Sequence, residues 1–241
     1  VYSHAGLAAA ERHGEQLDQL VPLLVNEGYE WGIDWGDFQT FAVYALPLPG
    51  GGIYVVDELV LAHVEPSDAA HRIIGHQPAC HPELTEDGEP APPPRFVASR
   101  ADSAPAGTNA TFRKVLNEQR RLRPHELPDG HLRIPFSKFK EGGNERKGVD
   151  TIGFLRMLLN AAATVPPDWT EVSDLAGTLA IHPRCRVLLH QLRSLERDPK
   201  TGKVKKPGMN PRDPNAGDHG PDAVVALAAP RAAEWTKDAH R

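Results

Sequence analysis

The chain has no apolar run near the roughly 18 residues that a membrane-spanning helix requires, so no membrane partner is expected. Its first residues, VYSHAGLAAAERHGEQ, lack the basic-then-apolar order of a secretory signal. Cysteine is scarce: Cys80 and Cys185 stand far apart, which suits two reduced thiols in a cytosolic protein better than a disulfide scaffold. His76, Cys80 and His81 in HQPACH, and His182 and Cys185 in HPRC, match no spacing of a structural zinc site and are read as loop and helix residues. No G-x-x-x-x-G-K-[ST] loop occurs, so ATP hydrolysis is not expected. A net charge of −5 argues against a surface coated for nonspecific nucleic-acid binding, while leaving room for a local basic groove. No internal repeat is visible.

What remains is an ordinary globular composition. With 241 residues, 40% hydrophobic and 24% charged, the chain is long enough for one sizeable α/β domain. Its 23 prolines and 21 glycines predict long, stiff loops. Residues 6–27 are helical in character, broken near Pro22. WGID, a turn at WGD, QTFAVYALP, a reversal at Pro49-Gly50-Gly51-Gly52, and IYVVDELVLA predict a three-stranded antiparallel meander. The second strand alternates only loosely, as a strand covered on both faces does. A helix follows over 66–77, capped by Ser67 or Asp68, then an acidic proline-rich loop over 82–95. RFVAS predicts a short buried strand ending on Asp102, followed by the helix ATFRKVLNEQRRL and the strand LRIPFSKF. GVDTIGFLRMLLNAAA and RCRVLLHQLRSLE have helical spacing, with the strand TLAIH between them. DPKTGKVKKPG predicts a hairpin, and DHGPDAVVALAAPRAAEWTK a closing helix with acids at its start.

Three acidic points stand out: Asp34 ending the first strand, Asp102 ending a later one, and Asp222 opening the last helix, with Asp218 and His219 just before it. Each has a simpler reading taken alone. Asp34 fits a turn, Asp102 a cap, and Asp218 or Asp222 a helix N-terminus that favours negative charge. Together they suggest more, because function in open α/β sheets gathers beyond the carboxyl ends of the strands. If the first and fourth strands are parallel neighbours, Asp34 and Asp102 lie side by side. Carboxylates held so close repel, and a divalent cation with oxygen ligands, Mg²⁺ or Mn²⁺, relieves that cost. Two such ions would serve phosphodiester hydrolysis.

In order, GIDWGDFQTFAVYAL, IYVVDE, ASRADSAP, IHPRCRVLLHQL and DHGPDAVVAL resemble the nuclease domain of phage large terminase subunits, from about residue 31 to residue 228. The Asp-His-x-x-Asp-Ala element beside a Lys/Gly hairpin is the most specific part. The resemblance implies a ribonuclease H-like mixed sheet, an antiparallel meander plus parallel strands, flanked by helices and spanning 29–241. It implies Asp34, Asp102 and Asp222 as metal-binding catalytic carboxylates, with Asp218 and His219 at positions that assist the metals in some members. Asp218 is the alternative third carboxylate. It also implies a viral protein of the host cytoplasm that cuts concatemeric double-stranded DNA, with an ATPase domain, a portal and a small terminase subunit as partners of the intact protein. Residues 1–28 are then the end of the connection to that ATPase domain. Two departures stand against it: VVALAAP where the family has an aromatic, and the long insert at 82–95.

Duplex binding needs cations near phosphates. Arg113, Lys114, Arg120, Arg121 and Arg123 lie on one expected helix and its end. The favoured groups are Lys138, Lys140 and Lys147, with Arg146 among them, and Lys200, Lys203, Lys205 and Lys206 on the hairpin. Few aromatics accompany them, so binding without base stacking or sequence preference is expected. Two other functions compete: a resolvase- or transposase-like nuclease of the same fold, and a non-catalytic module that binds DNA or a portal.

Overall fold

A computed structural model describes residues 2–35, 39–81, 96–101, 151–197, 204–205 and 217–239, with positions 200 and 213. Strands β1 (Tyr29–Trp35), β2 (Gln39–Leu48) and β3 (Gly52–Ala62) form the antiparallel meander. β4 (Phe96–Ala101) runs parallel to β1 at one edge, and β5 (Leu179–Ile181) runs parallel to β3 at the other. The five-stranded order is β4-β1-β2-β3-β5. The reversal between β2 and β3 depends on Gly50 and Gly51, whose φ of 62° and 77° lie in the region that side chains disfavour. The chain is therefore an α/β protein with a mixed sheet, and helices cover both faces.

Period-two alternation explains why both faces are covered. Tyr29, Trp31 and Ile33 of β1, Tyr44 and Leu46 of β2, and Tyr54 and Val56 of β3 pack in one hydrophobic cluster with α3 (Pro66–Ile74) and the short helix α2 (Val21–Leu24). Phe41, Val43 and Ala45, with Ile53 and Val55, face the opposite way. There they meet α1 (His4–Leu17), α4 (Thr151–Thr164), α5 (Arg186–Ser194) and α6 (His219–Ala239). The N-terminal helix is thus part of the packed unit, with Leu7 and Ala10 in this second cluster. Burying side chains at about 25 cal/mol per Å² of apolar surface on two faces is what lets so short a β5 hold its place.

Several local expectations change. The break near Pro22 is real, but α1 ends at Leu17, a 3₁₀ turn covers Asp18–Leu20, and the proline sits in the first turn of α2, where its missing N–H costs nothing. Helix α3 starts one residue earlier than Ser67. Glu65 occupies the N-cap without a side-chain bond and Pro66 sets the first helical φ, so neither Ser67 nor Asp68 caps it. Cys80 and Cys185 are free thiols and pack against different clusters. Among the described residues no helix is long and apolar enough to cross a membrane.

Helix α5 is anchored by a carboxylate from the sheet. Glu58 of β3 accepts the N–H groups of Val187 (2.9 Å) and Leu188 (2.8 Å) at the first turn of α5. Helices leave those N–H groups unpaired, so a half-buried acid there both caps the helix and matches its positive end.

Candidate functional site

The site is built on the β1 side chains that face α6. Glu30, Gly32 and Asp34 alternate with the core residues Tyr29, Trp31 and Ile33, so the three share one face of the strand. Helix α6 crosses that face in the opposite direction. Arg231 meets Glu30 with two bonds, Nη1 to Oε2 at 2.7 Å and Nη2 to Oε1 at 2.8 Å. At Gly32 the helix comes so close that a Cβ there would lie 2.1 Å from the Ala223 carbonyl oxygen and 2.8 Å from Leu227 Cβ. At the strand's end His219 Nδ1 lies 2.5 Å from Asp34 Oδ2. An ionised carboxylate only accepts, so Nδ1 carries the proton.

The first turn of α6 is held on its other side as well. Gly217 has φ of 124°, which suits only glycine, and turns the chain into Asp218. The Asp222 N–H donates to the Asp218 carbonyl (2.9 Å), closing the first helical turn across Pro221. Gly220 donates its N–H to Gln191 Oε1 (2.8 Å), and a Cβ on Gly220 would lie 3.0 Å from Phe41 Cζ. Small residues at 32, 217 and 220 therefore allow the approach that brings His219 onto Asp34.

Asp34, Asp218 and His219 are nearly enclosed, at 5%, 8% and 7% exposure. Burial alone would lower the pKa of His219. The hydrogen bond with Asp34 and then the negative charges of Asp34, Asp218 and Asp222 outweigh it and hold the imidazole above its usual value. Three carboxylates around one imidazole concentrate negative potential at the end of the strand, which attracts a cation. Carboxylate oxygens are the donors that hard divalent ions take. Among the described residues no three His, Cys, Asp or Glu side chains converge as one ion's ligand set.

Of the residues singled out in the sequence, Asp34, Asp218, His219 and Asp222 are gathered at one place. Asp102 lies outside the described residues. The described part of β4 ends one residue before it, at Ala101, which is paired with Ile33, the residue before Asp34. The hairpin exists: β6 (Glu196–Arg197) pairs with β7 (Val204–Lys205), and Leu195 alone separates it from α5. Lys200 lies exposed at its turn, and Lys205 lies on β7. Lys138, Lys140, Lys147, Lys203, Lys206, Arg113, Lys114, Arg120, Arg121, Arg123, Arg146 and the 82–95 loop lie outside the described residues.

Three participants were missed in the sequence. Glu30 and Gly32 were legible as the same-face partners of Asp34 once the strand was assigned. Gln191 was signalled by a polar residue inside the apolar stripe Leu188, Leu189, Leu192 of α5. Comparison of the chain with protein-family models, with curated proteins and with solved structures found no match.

Proposed function

We propose that the chain is a divalent-metal-dependent DNA endonuclease with a ribonuclease H-like fold, which cuts double-stranded DNA with little sequence specificity, as in the processing of concatemeric viral DNA. The observation that carries this reading is the gathering of Asp218, His219 and Asp222 onto Asp34 at the carboxyl end of β1, with β4 parallel beside it and Asp102 next in its sequence. The antiparallel meander with a parallel neighbour to its first strand suits the same fold.

In this reading Asp34, Asp102 and Asp222 hold two Mg²⁺ or Mn²⁺ ions, aided by Asp218 and His219, and the ions supply an activated water and charge neutralisation at the leaving 3′-oxygen. His219 fixes the rotamer of Asp34 through the Nδ1–H bond. Gly32 fixes the distance between strand and helix on which that bond depends. The lysines at 200, 203, 205 and 206, and at 138, 140 and 147, contact phosphates and position the duplex.

The test is plasmid degradation in Mn²⁺ or Mg²⁺ by the wild-type chain and by Asp34→Ala and Asp102→Ala, with circular dichroism to confirm folding. Loss of cleavage in both folded variants is expected. Unchanged cleavage in both overturns the proposal.

A further inference from the structure

The side chain of Gln191 is fully buried on α5, against the first turn of α6. Its Oε1 accepts the Gly220 N–H, and this fixes which end of the amide is which, because a flipped amide would set two donors against each other. The Nε2 group is then the buried end, with no hydrogen-bond partner among the described residues. It lies on the side of Gly217 where a side chain would be: a Cβ built there comes 4.0 Å from Nε2 and 3.5 Å from Cδ2 of the His219 ring. A leucine would fill this volume among Leu188, Leu189 and Leu192 without leaving a buried donor unmade. An unmet buried donor beside a cluster of functional groups calls for a ligand atom.

We infer that Gln191 is a positioning residue of the Asp34–His219 site, whose Oε1 clamps the first turn of α6 and whose Nε2 donates to an oxygen brought by the site's ligand. The inference rests on the nuclease reading of the same site. The oxygen has two sources with the same chemistry, a water carried on the metal ion or a phosphate of the DNA. Oε1 sets where Asp218 and His219 stand, and Nε2 sets where the incoming oxygen stands relative to them.

The experiment follows the side-chain NH₂ signals of Gln191 by NMR in the whole chain while Mg²⁺ alone, and then Mg²⁺ with a short DNA duplex, is added. Gln16, whose Nε2 donates to the Pro167 carbonyl (2.6 Å), serves as the control. Gln191 is expected to move while Gln16 stays. Movement with Mg²⁺ alone assigns the oxygen to ion-bound water, and movement only with duplex assigns it to phosphate. If the backbone signals of Asp34 and His219 move while Gln191 does not, the inference falls and the nuclease reading stands. If none of these signals moves, both fall.

Variants provide the second readout. Gln191→Glu keeps the acceptor and removes the donor, so the Gly220 amide should stay protected from exchange while kcat for plasmid cleavage falls on the order of 10²-fold. Gln191→Leu removes both without adding charge, so it should lose Gly220 protection and at least as much kcat. Wild-type kcat in either variant overturns the inference.

Discussion

Gly32→Ala tests whether the contact of α6 with β1 sets the site. The added Cβ would lie 2.1 Å from the Ala223 carbonyl oxygen, so the helix must retreat by about 1.2 Å to reach an ordinary C···O separation of about 3.3 Å. Overpacking of this kind costs about 1–3 kcal/mol, offset by about 0.5–1 kcal/mol because alanine loses less backbone freedom in a strand than glycine. A net loss of about 0.5–2 kcal/mol corresponds to roughly 1–8 °C in Tm for a chain of this size. The retreat also carries His219 off Asp34, and a misplacement of about 1 Å costs on the order of 10²-fold in rate. Gly14→Ala is the control. A Cβ there would lie 2.2 Å from the Ile181 carbonyl oxygen, but the crowding is between α1 and β5 rather than α6 and β1. Thermal melts by circular dichroism and NMR of the His219 ring should show both variants destabilised, with His219 altered in Gly32→Ala alone. An unchanged or raised Tm in Gly32→Ala, with His219 as in the wild type, refutes the reasoning.

Other outcomes follow from single interactions. Because His219 has a folded pKa above its usual 6.5, its ion pair with Asp34 stabilises the metal-free chain fully below about pH 6.5 and is lost as pH rises through the folded value. Asp34→Asn should therefore cost most stability at low pH, with the wild-type and variant melting curves converging above that range; a gap that widens with pH would count against it. Arg231→Ala leaves the Glu30 carboxylate half-buried without its two bonds, which should cost about 1–3 kcal/mol in a denaturant melt. Glu58→Ala removes the cap of α5, at a cost of about 1–2 kcal/mol, and amide exchange should report fraying confined to Val187 and Leu188.

Much of the architecture was legible because periodicity is a local signal. The meander, β5, α4, α5 and α6 fall within a few residues of where apolar spacing and glycine turns set them. The start of α3 at Pro66 was read correctly, but its cap was misassigned because Ser67 and Asp68 resemble caps, while Glu65 takes the N-cap and the proline after it fixes the first helical φ. The strand order was not legible: nothing local tells β5 to join beside β3 rather than beside β4. The acids of the site were visible as acids, but their meeting depends on how α6 lies across β1. That depends on Gly32 and Gly220, whose missing side chains carry no periodic signal. Gln191 carried a signal, a polar residue among Leu188, Leu189 and Leu192, but that signal does not say which neighbouring element the amide meets.

The two charged contacts of α6 with β1 divide the work between them. Glu30–Arg231 joins a carboxylate to a guanidinium that does not lose its proton, through two parallel bonds. It holds the helix to the strand through both carboxylate oxygens. Asp34–His219 joins a carboxylate to a group that does titrate, at the end of the strand and beside two more acids. With Glu30–Arg231 and the Gly32 contact seating the helix, the proposed metal site at Asp34 would take up a cation in place of the His219 proton without unseating α6. Swapping the partners tests this division. His219→Arg should keep the fold and remove the exchangeable proton, so Mn²⁺ titrations by calorimetry should show weakened binding at unchanged Tm. Undiminished binding would mean that the imidazole has no part in admitting the ion.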